Sequence, residues 1–191
     1  MQPQHQEDQT FTKTPADQLT GHNRTYENCR FINCDLSYAN LYSIVFIECS
    51  FEDCNLSLAD VGSAGFQNVN FKHCKLSGVN FGKSLDFLFE VHFDSCILNN
   101  AIFYKKKNKK ARFNDCSMIE TDLTECDLTD AKFISCNLHR AFFSRTILKG
   151  ADLRSSYNFT IDPDDNQIKK AMFSIHGLPG LLSKYDIKIE G

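Results

Sequence analysis

Phe51-Glu52-Asp53-Cys54-Asn55-Leu56-Ser57-Leu58-Ala59-Asp60-Val61-Gly62-Ser63-Ala64-Gly65-Phe66-Gln67-Asn68-Val69-Asn70-Phe71 decides the fold. A large apolar residue stands at every fifth position, Phe51, Leu56, Val61, Phe66 and Phe71, and the residue two before it is usually small, as at Cys54, Ala59 and Ala64. A period of five fits neither the two of a strand nor the 3.6 of a helix, so each five-residue unit has to turn a corner. If the central apolar residue and the small one point inward, the other three face water, which suits their Asp, Asn, Glu, Lys, Ser and Thr.

Outward from this stretch the pattern runs back to Tyr26 and on to Phe81, slips by two residues, and resumes from Leu88 to Leu153 with Asn108 as its one break. Centres twenty apart, allowing for the slip, read Phe31, Phe51, Phe71, Phe93, Phe113 and Phe133. The next column reads Leu36, Leu56, Leu76, Leu98, Met118 and Leu138, and the small position before it reads Cys34, Cys54, Cys74, Cys96, Cys116 and Cys136. Four units therefore close one coil, and like stacks on like. Coils about 4.8 Å apart make a rod of roughly 30 Å from six to seven turns. Pro3, Pro15, Pro163 and Pro179 all lie outside the repeat, where no ladder hydrogen bond is lost. The fold expected is all-β, a quadrilateral β-helix over 21–157, with a polar and partly disordered segment at 1–20 and a short helix and strand cap within 158–191.

The nine cysteines are an odd number with no C-x-x-C pair. All of them take the small inward position, so they are expected as buried free thiols behaving as small hydrophobes. The amino terminus lacks the apolar core of a secretory signal, and no apolar run is long enough to span a membrane, so the default address is the cytoplasm. A net charge of −3 makes neither nucleic acid nor membrane a natural partner. His73 faces out while Cys74 faces in, and no phosphate loop, nucleophile elbow or dinucleotide fingerprint occurs. No catalytic residue, metal or cofactor is expected.

Ala39-Asn40-Leu41, Ala59-Asp60-Val61, Cys54-Asn55-Leu56, Cys126-Asp127-Leu128 and Ala151-Asp152-Leu153 resemble the A-(D/N)-L-x-x signature of the bacterial pentapeptide-repeat family, over about residues 21–157. The resemblance implies a right-handed quadrilateral β-helix and a non-enzymatic role. In the quinolone-resistance branch of that family it implies imitation of duplex DNA, binding of type II topoisomerases (DNA gyrase and topoisomerase IV), and dimerisation through a carboxy-terminal helix.

Two departures interrupt the repeat. The slip lies in Phe81-Gly82-Lys83-Ser84-Leu85-Asp86-Phe87-Leu88-Phe89 and reads either as a tolerated bulge or as a binding loop, the latter favoured if its apolar residues face water. In Tyr104-Lys105-Lys106-Lys107-Asn108-Lys109-Lys110, Lys106 and Asn108 hold inward positions, and burying an unpaired lysine costs several kcal/mol, so this side of the coil is expected to bulge outward. Lys105, Lys106, Lys107, Lys109 and Lys110 read either as a solvated face or as a contact for phosphate or an acidic partner.

Asp115, Glu120, Glu125 and Asp130, with Asp122 and Asp127 between them, read as an acidic band on neighbouring faces of one coil. The functions that follow are a protein-binding scaffold, topoisomerase-directed DNA mimicry as its sharpest form, and a structural or assembly solenoid as the alternative. Beyond Tyr157, Ile168, Ala171 and Phe173 suggest a last partial coil. Leu178, Leu181, Leu182, Tyr185, Ile187 and Ile189 supply more apolar surface than a cap needs, which suggests a homodimer through this tail.

Overall fold

The computed structural model describes residues 4–21 and 23–188. The chain winds as a four-sided β-solenoid in which all paired strands are parallel. The first side carries β1 (Gln4–Glu7), β3 (Arg24–Glu27), β5 (Val45–Ile47) and β7 (Gly65–Gln67), in that spatial order. On the second, β2 (Thr10–Thr12), β4 (Arg30–Ile32), β6 (Ser50–Glu52), β8 (Val69–Lys72), β9 (Val91–Asp94), β10 (Arg112–Asn114) and β11 (Lys132–Ile134) form a continuous seven-stranded sheet. Single bridges hold the third side along Asp35, Asn55, Lys75, Ile97, Ser117, Asn137 and Tyr157, and the fourth through pairs such as Asn40 with Asp60 and Ile102 with Asp122.

The register pairs Phe31 with Phe51, Phe51 with Phe71, Phe71 with Phe93 and Phe113 with Phe133. These rings stack at 4.5 to 5.4 Å with their planes within 15°. A second column of Tyr26, Phe46 and Phe66 meets the first edge to face, so two aromatic ladders fill the interior at favourable ring geometry. Leu36, Leu56, Leu76, Leu98, Met118 and Leu138 are buried on the next wall.

Each corner is made by one residue in a left-handed backbone conformation, as at Asn33 (φ 53°), Tyr38 (56°), Asp53 (54°), Leu58 (57°), Glu120 (55°) and Ser135 (53°). The small inward residue follows it. Where no strand precedes the corner, the amide of that inward residue closes a tight turn onto the central residue, for example Ala39 N–H to Leu36 O and Ala59 N–H to Leu56 O. Corners that leave a strand are served differently. Cys34, Cys54 and Cys74 donate their amides to the sulfur of the inward cysteine one coil on, at 3.3 to 3.4 Å, and the thiols of Cys54, Cys74 and Cys96 reach back to the carbonyls of Phe31, Phe51 and Phe71. The expectation that these cysteines act only as small hydrophobes is therefore corrected: the thiols are links in a hydrogen-bonded column. All nine are buried and unbridged.

Three boundaries differ from the sequence reading. The segment 1–20 is not merely a polar leader, because from Gln4 on it adds a coil: β1 pairs with β3, β2 with β4, and Phe11 stacks on Phe31 at 5.1 Å. A short helix, α1 (Ala16–Leu19), then lays Leu19 over that end, where the Tyr26 hydroxyl donates to its carbonyl at 2.8 Å. The inward pattern does not resume at Leu88, which is 62% exposed at a left-handed corner; Phe89 and Val91 are buried in its stead. At the other end, Gln167 and Met172 still bridge to Ile147 and Asp152 before α2 (Leu178–Leu182) closes the rod. The strand expected over 186–190 is absent in its described part, residues 186–188, because Asp186 takes a left-handed turn (φ 47°); Ile189 and Glu190 lie outside the described residues.

Candidate partner-binding surfaces

The two departures in sequence meet in space. The first side stops being a strand after β7, since the coil that follows runs through the 82–89 loop, and it is regained only as single bridges from Lys107 onward. Leu85 N–H still donates to Ala64 O and Glu90 N–H to Phe66 O, so the loop is pinned to the coil before it. On its other flank the backbone is met by side chains. Lys106 Nζ donates to Ser84 O and to Asp86 Oδ1, both at 2.6 Å, and lies 5.0 Å from the centre of the Phe89 ring. The Asn108 amide accepts from Val91 N–H at 3.2 Å and donates to Val91 O at 3.0 Å.

Lys106 and Asn108 are 1% and 2% exposed, so the coil does not bulge outward at them as expected. The reason is that neither is unpaired: the inserted loop turns carbonyls toward the interior, and an ammonium and an amide take the place of the backbone donors of a regular coil. Elsewhere those donors are amides one coil on, as Asp127 N–H is to Lys106 O.

With its base held in this way, the loop presents Leu85, Phe87 and Leu88 at 44%, 70% and 62% exposure. Leu88 and Phe89 also wall a groove of about 300 Å³ with Ile47, Glu48, Gln67, Asn68 and Glu90. Two residues on from Glu90, His92 is buried; its Nδ1 accepts the Arg112 amide and its Nε2 lies 3.2 Å from Glu90 Oε1. Burial first, and then the nearby Arg112 charge, hold the His92 pKa below its ordinary value.

The charged groups singled out in sequence are spread around the rod. Asp115, Glu120, Glu125 and Asp130 are successive left-handed corner residues of one coil, so each stands on a different edge. They form a ring, and a flat partner can meet no more than two at once. Cations of adjacent coils also stand in register with them. Glu125 lies between Lys105 at 3.5 Å and Arg145 at 2.7 Å, Glu120 faces Arg140 at 3.3 Å, and Lys109 reaches Asp127 at 3.3 Å. The Arg145 hydrogen bond, helped by the Lys105 charge, holds the Glu125 carboxyl below the usual carboxylate range. Of the lysine cluster, Lys106 is buried and Lys105 and Lys109 are paired, leaving Lys107 and Lys110 as its exposed members outside those pairs.

The tail set also divides. Leu181 packs against the core, while Leu178, Tyr185 and Ile187 are 44%, 55% and 55% exposed, and Leu182 is half-buried. Just before the tail set in sequence, Ile175 is 82% exposed and Met172 40% exposed, and neither was picked out in sequence. The tail is docked by Ile161 N–H donating to Gly180 O at 3.0 Å, by Phe159 against Phe173, and by Lys184 to Asp162 at 2.6 Å and to Asp164. Among the described residues no group of three or more His, Cys, Asp or Glu is placed to hold a metal, and no helix is long and apolar enough to cross a membrane.

The model of the pentapeptide repeat region matches residues 25–85 and 87–157. Two trypsin-treated forms of QnrB1, described as a plasmid-mediated fluoroquinolone resistance protein, share the fold. One superposes with a TM-score of 0.61 at 16% identity over 100% of both chains, the other with 0.60 at 15% identity over 98% of both. No curated protein matches the chain by sequence.

Proposed function

The chain belongs to the pentapeptide-repeat family, and from that premise we propose that it is a non-enzymatic scaffold that binds another protein. The observation that carries this reading is the 82–89 loop: three apolar side chains stand in water on a base that places a lysine and an asparagine in the interior. A regular coil would need neither, and a maintained apolar projection marks a contact surface. Its sharpest form is binding to a type II topoisomerase by imitation of DNA, which the likeness in fold to QnrB1 supports by analogy alone. The ring arrangement of Asp115, Glu120, Glu125 and Asp130 and the pairing of Glu120 and Glu125 with cations make the acidic side of that imitation weak, so shape and the loop have to supply much of the contact.

A supercoiling assay separates these forms. If the topoisomerase version holds, purified protein at stoichiometric amounts alters the activity of gyrase, and replacing Asp115, Glu120, Glu125 and Asp130 by Asn or Gln reduces the effect. Unchanged gyrase activity removes the topoisomerase version and leaves the scaffold reading to be judged on other partners. A contact of Lys105, Lys106, Lys107, Lys109 and Lys110 with phosphate or an acidic partner would run through Lys107 and Lys110, the exposed members outside the ion pairs described above.

A further inference from the structure

The groove beside the loop has a definite chemistry. Its floor and walls are apolar at Ile47, Leu88 and Phe89, with the amides of Gln67 and Asn68 between, and its charged residues are the carboxylates Glu48 and Glu90. Glu48 has no cation within ion-pair distance among the described residues, and Glu90 faces only His92. That imidazole is held neutral by its burial and by Arg112, so the Glu90 charge is not cancelled. Since Val69 pairs with Val91 and Phe93 with Phe113, Glu48, Asn68, Glu90 and Lys110 follow one another along one edge of the rod, with Leu88 beside it. A carboxylate thus stands at each end of the groove, and the Glu48 end is the one farther from Lys110.

No strand closes the flank. β7 is the last strand of its sheet, so the side of Gly65–Gln67 away from β5 faces the displaced loop rather than another strand. An extended chain laid in the groove would meet apolar walls, side-chain amides and two carboxylates together. Since the base of the loop is fixed by Lys106 and Asn108, little ordering is needed on binding.

We propose that the 82–90 loop and its groove form a docking site for an extended segment of a partner protein that carries an apolar side chain flanked by lysine or arginine, with the basic residue toward Glu48. The proposal rests on the scaffold reading above and names the partner chemistry for it. Such a segment uses apolar anchors for affinity and its charges for orientation.

The test is selection of a random dodecapeptide library displayed on phage against the full chain, followed by fluorescence anisotropy with the selected peptides made synthetically. The expected result is enrichment of one apolar residue with Lys or Arg within two positions. Leu88→Ser, which changes an exposed side chain, should weaken such peptides about thirtyfold, the lower end of hot-spot size. The pair Glu48→Gln and Glu90→Gln should weaken them and flatten their salt dependence. Thermal unfolding of each variant must match the parent, which separates lost binding from lost structure. Peptides that bind the Leu88→Ser chain as well as the parent, enrichment of acidic sequences, or no enrichment at all would each overturn the proposal. None of these outcomes bears on gyrase supercoiling, so the two readings fail separately.

Discussion

Left-handed corner residues recur every five positions, and none of those in the described chain is Val, Ile or Thr. Their two heavy atoms on Cβ crowd a backbone with φ near 55°, whereas Asn, Asp, Ser, Lys and even Leu tolerate it. Ser135→Val should therefore cost about 1–3 kcal/mol although the site is exposed, while Ser135→Gly should be close to neutral. Urea unfolding of the two variants checks this, and equal midpoints would refute it. The thiol columns make a second residue-scale case. Cys74→Ala removes the acceptor of Cys54 N–H and the donor to Phe51 O, both buried, and should cost about 1–3 kcal/mol. Cys74→Ser should cost less, because Ser156 already does this work on the same wall, accepting Cys136 N–H at 3.2 Å and donating to Phe133 O at 2.8 Å. If serine proves as harmful as alanine, the sulfur acts by bulk alone. Burial lifts Cys49 and Cys126 to about 12, so neither thiol is expected to react in the native state.

At the scale of elements, the loop and the pair Lys106 and Asn108 behave as one unit. Lys106→Met should cost about 1.5–3 kcal/mol, since Ser84 O and Asp86 lose a charged donor. Shortening the 82–88 segment by two residues should also destabilise, for it strands the ammonium. Made together with Lys106→Ala and Asn108→Leu, the shortening should cost less than the sum of the separate changes by an amount on the order of 1–3 kcal/mol. Additive costs in denaturant melts would show that the two sites are independent. This is also where legibility in the sequence ended. The five-residue period was plain because every coil repeats one steric problem, and Phe11, twenty residues before Phe31, carried the same signal at the amino-terminal end. The loop was visible as a slip and Lys106 as a misplaced charge, yet nothing in a linear period says that a defect in one coil is answered in the next. Cysteine and alanine looked alike for a similar reason: the period gives both the same small inward position and does not show that the amides of Cys34, Cys54 and Cys74 are met by a sulfur one coil on.

For the whole molecule, the tail determines what the rod can join. Added carbon at Gly180 would collide with the Phe159 carbonyl, and at Gly177 with the Phe159 ring, so α2 lies flat on the last coil only because these positions are glycine. Gly180→Ala should lift the tail and lower the melting temperature. If Leu178, Tyr185, Ile187 and the neighbouring Ile175 form a homodimer contact, it should also turn a dimer into a monomer. Light scattering of the parent at micromolar concentration comes first, and a monomeric mass there would refute the dimer outright.

Because Phe93, Phe113 and Phe133 stack as evenly as Phe31, Phe51 and Phe71 on either side of the interruption, the disturbance does not reach the second side of the rod. A chain of this architecture can therefore acquire an appendage without renegotiating its distant parts, provided two hydrophilic side chains appear one circuit downstream. In kindred sequences, such a pair at successive interior sites should mark where an ancestor gained residues, even after the appendage itself has been reshaped beyond recognition.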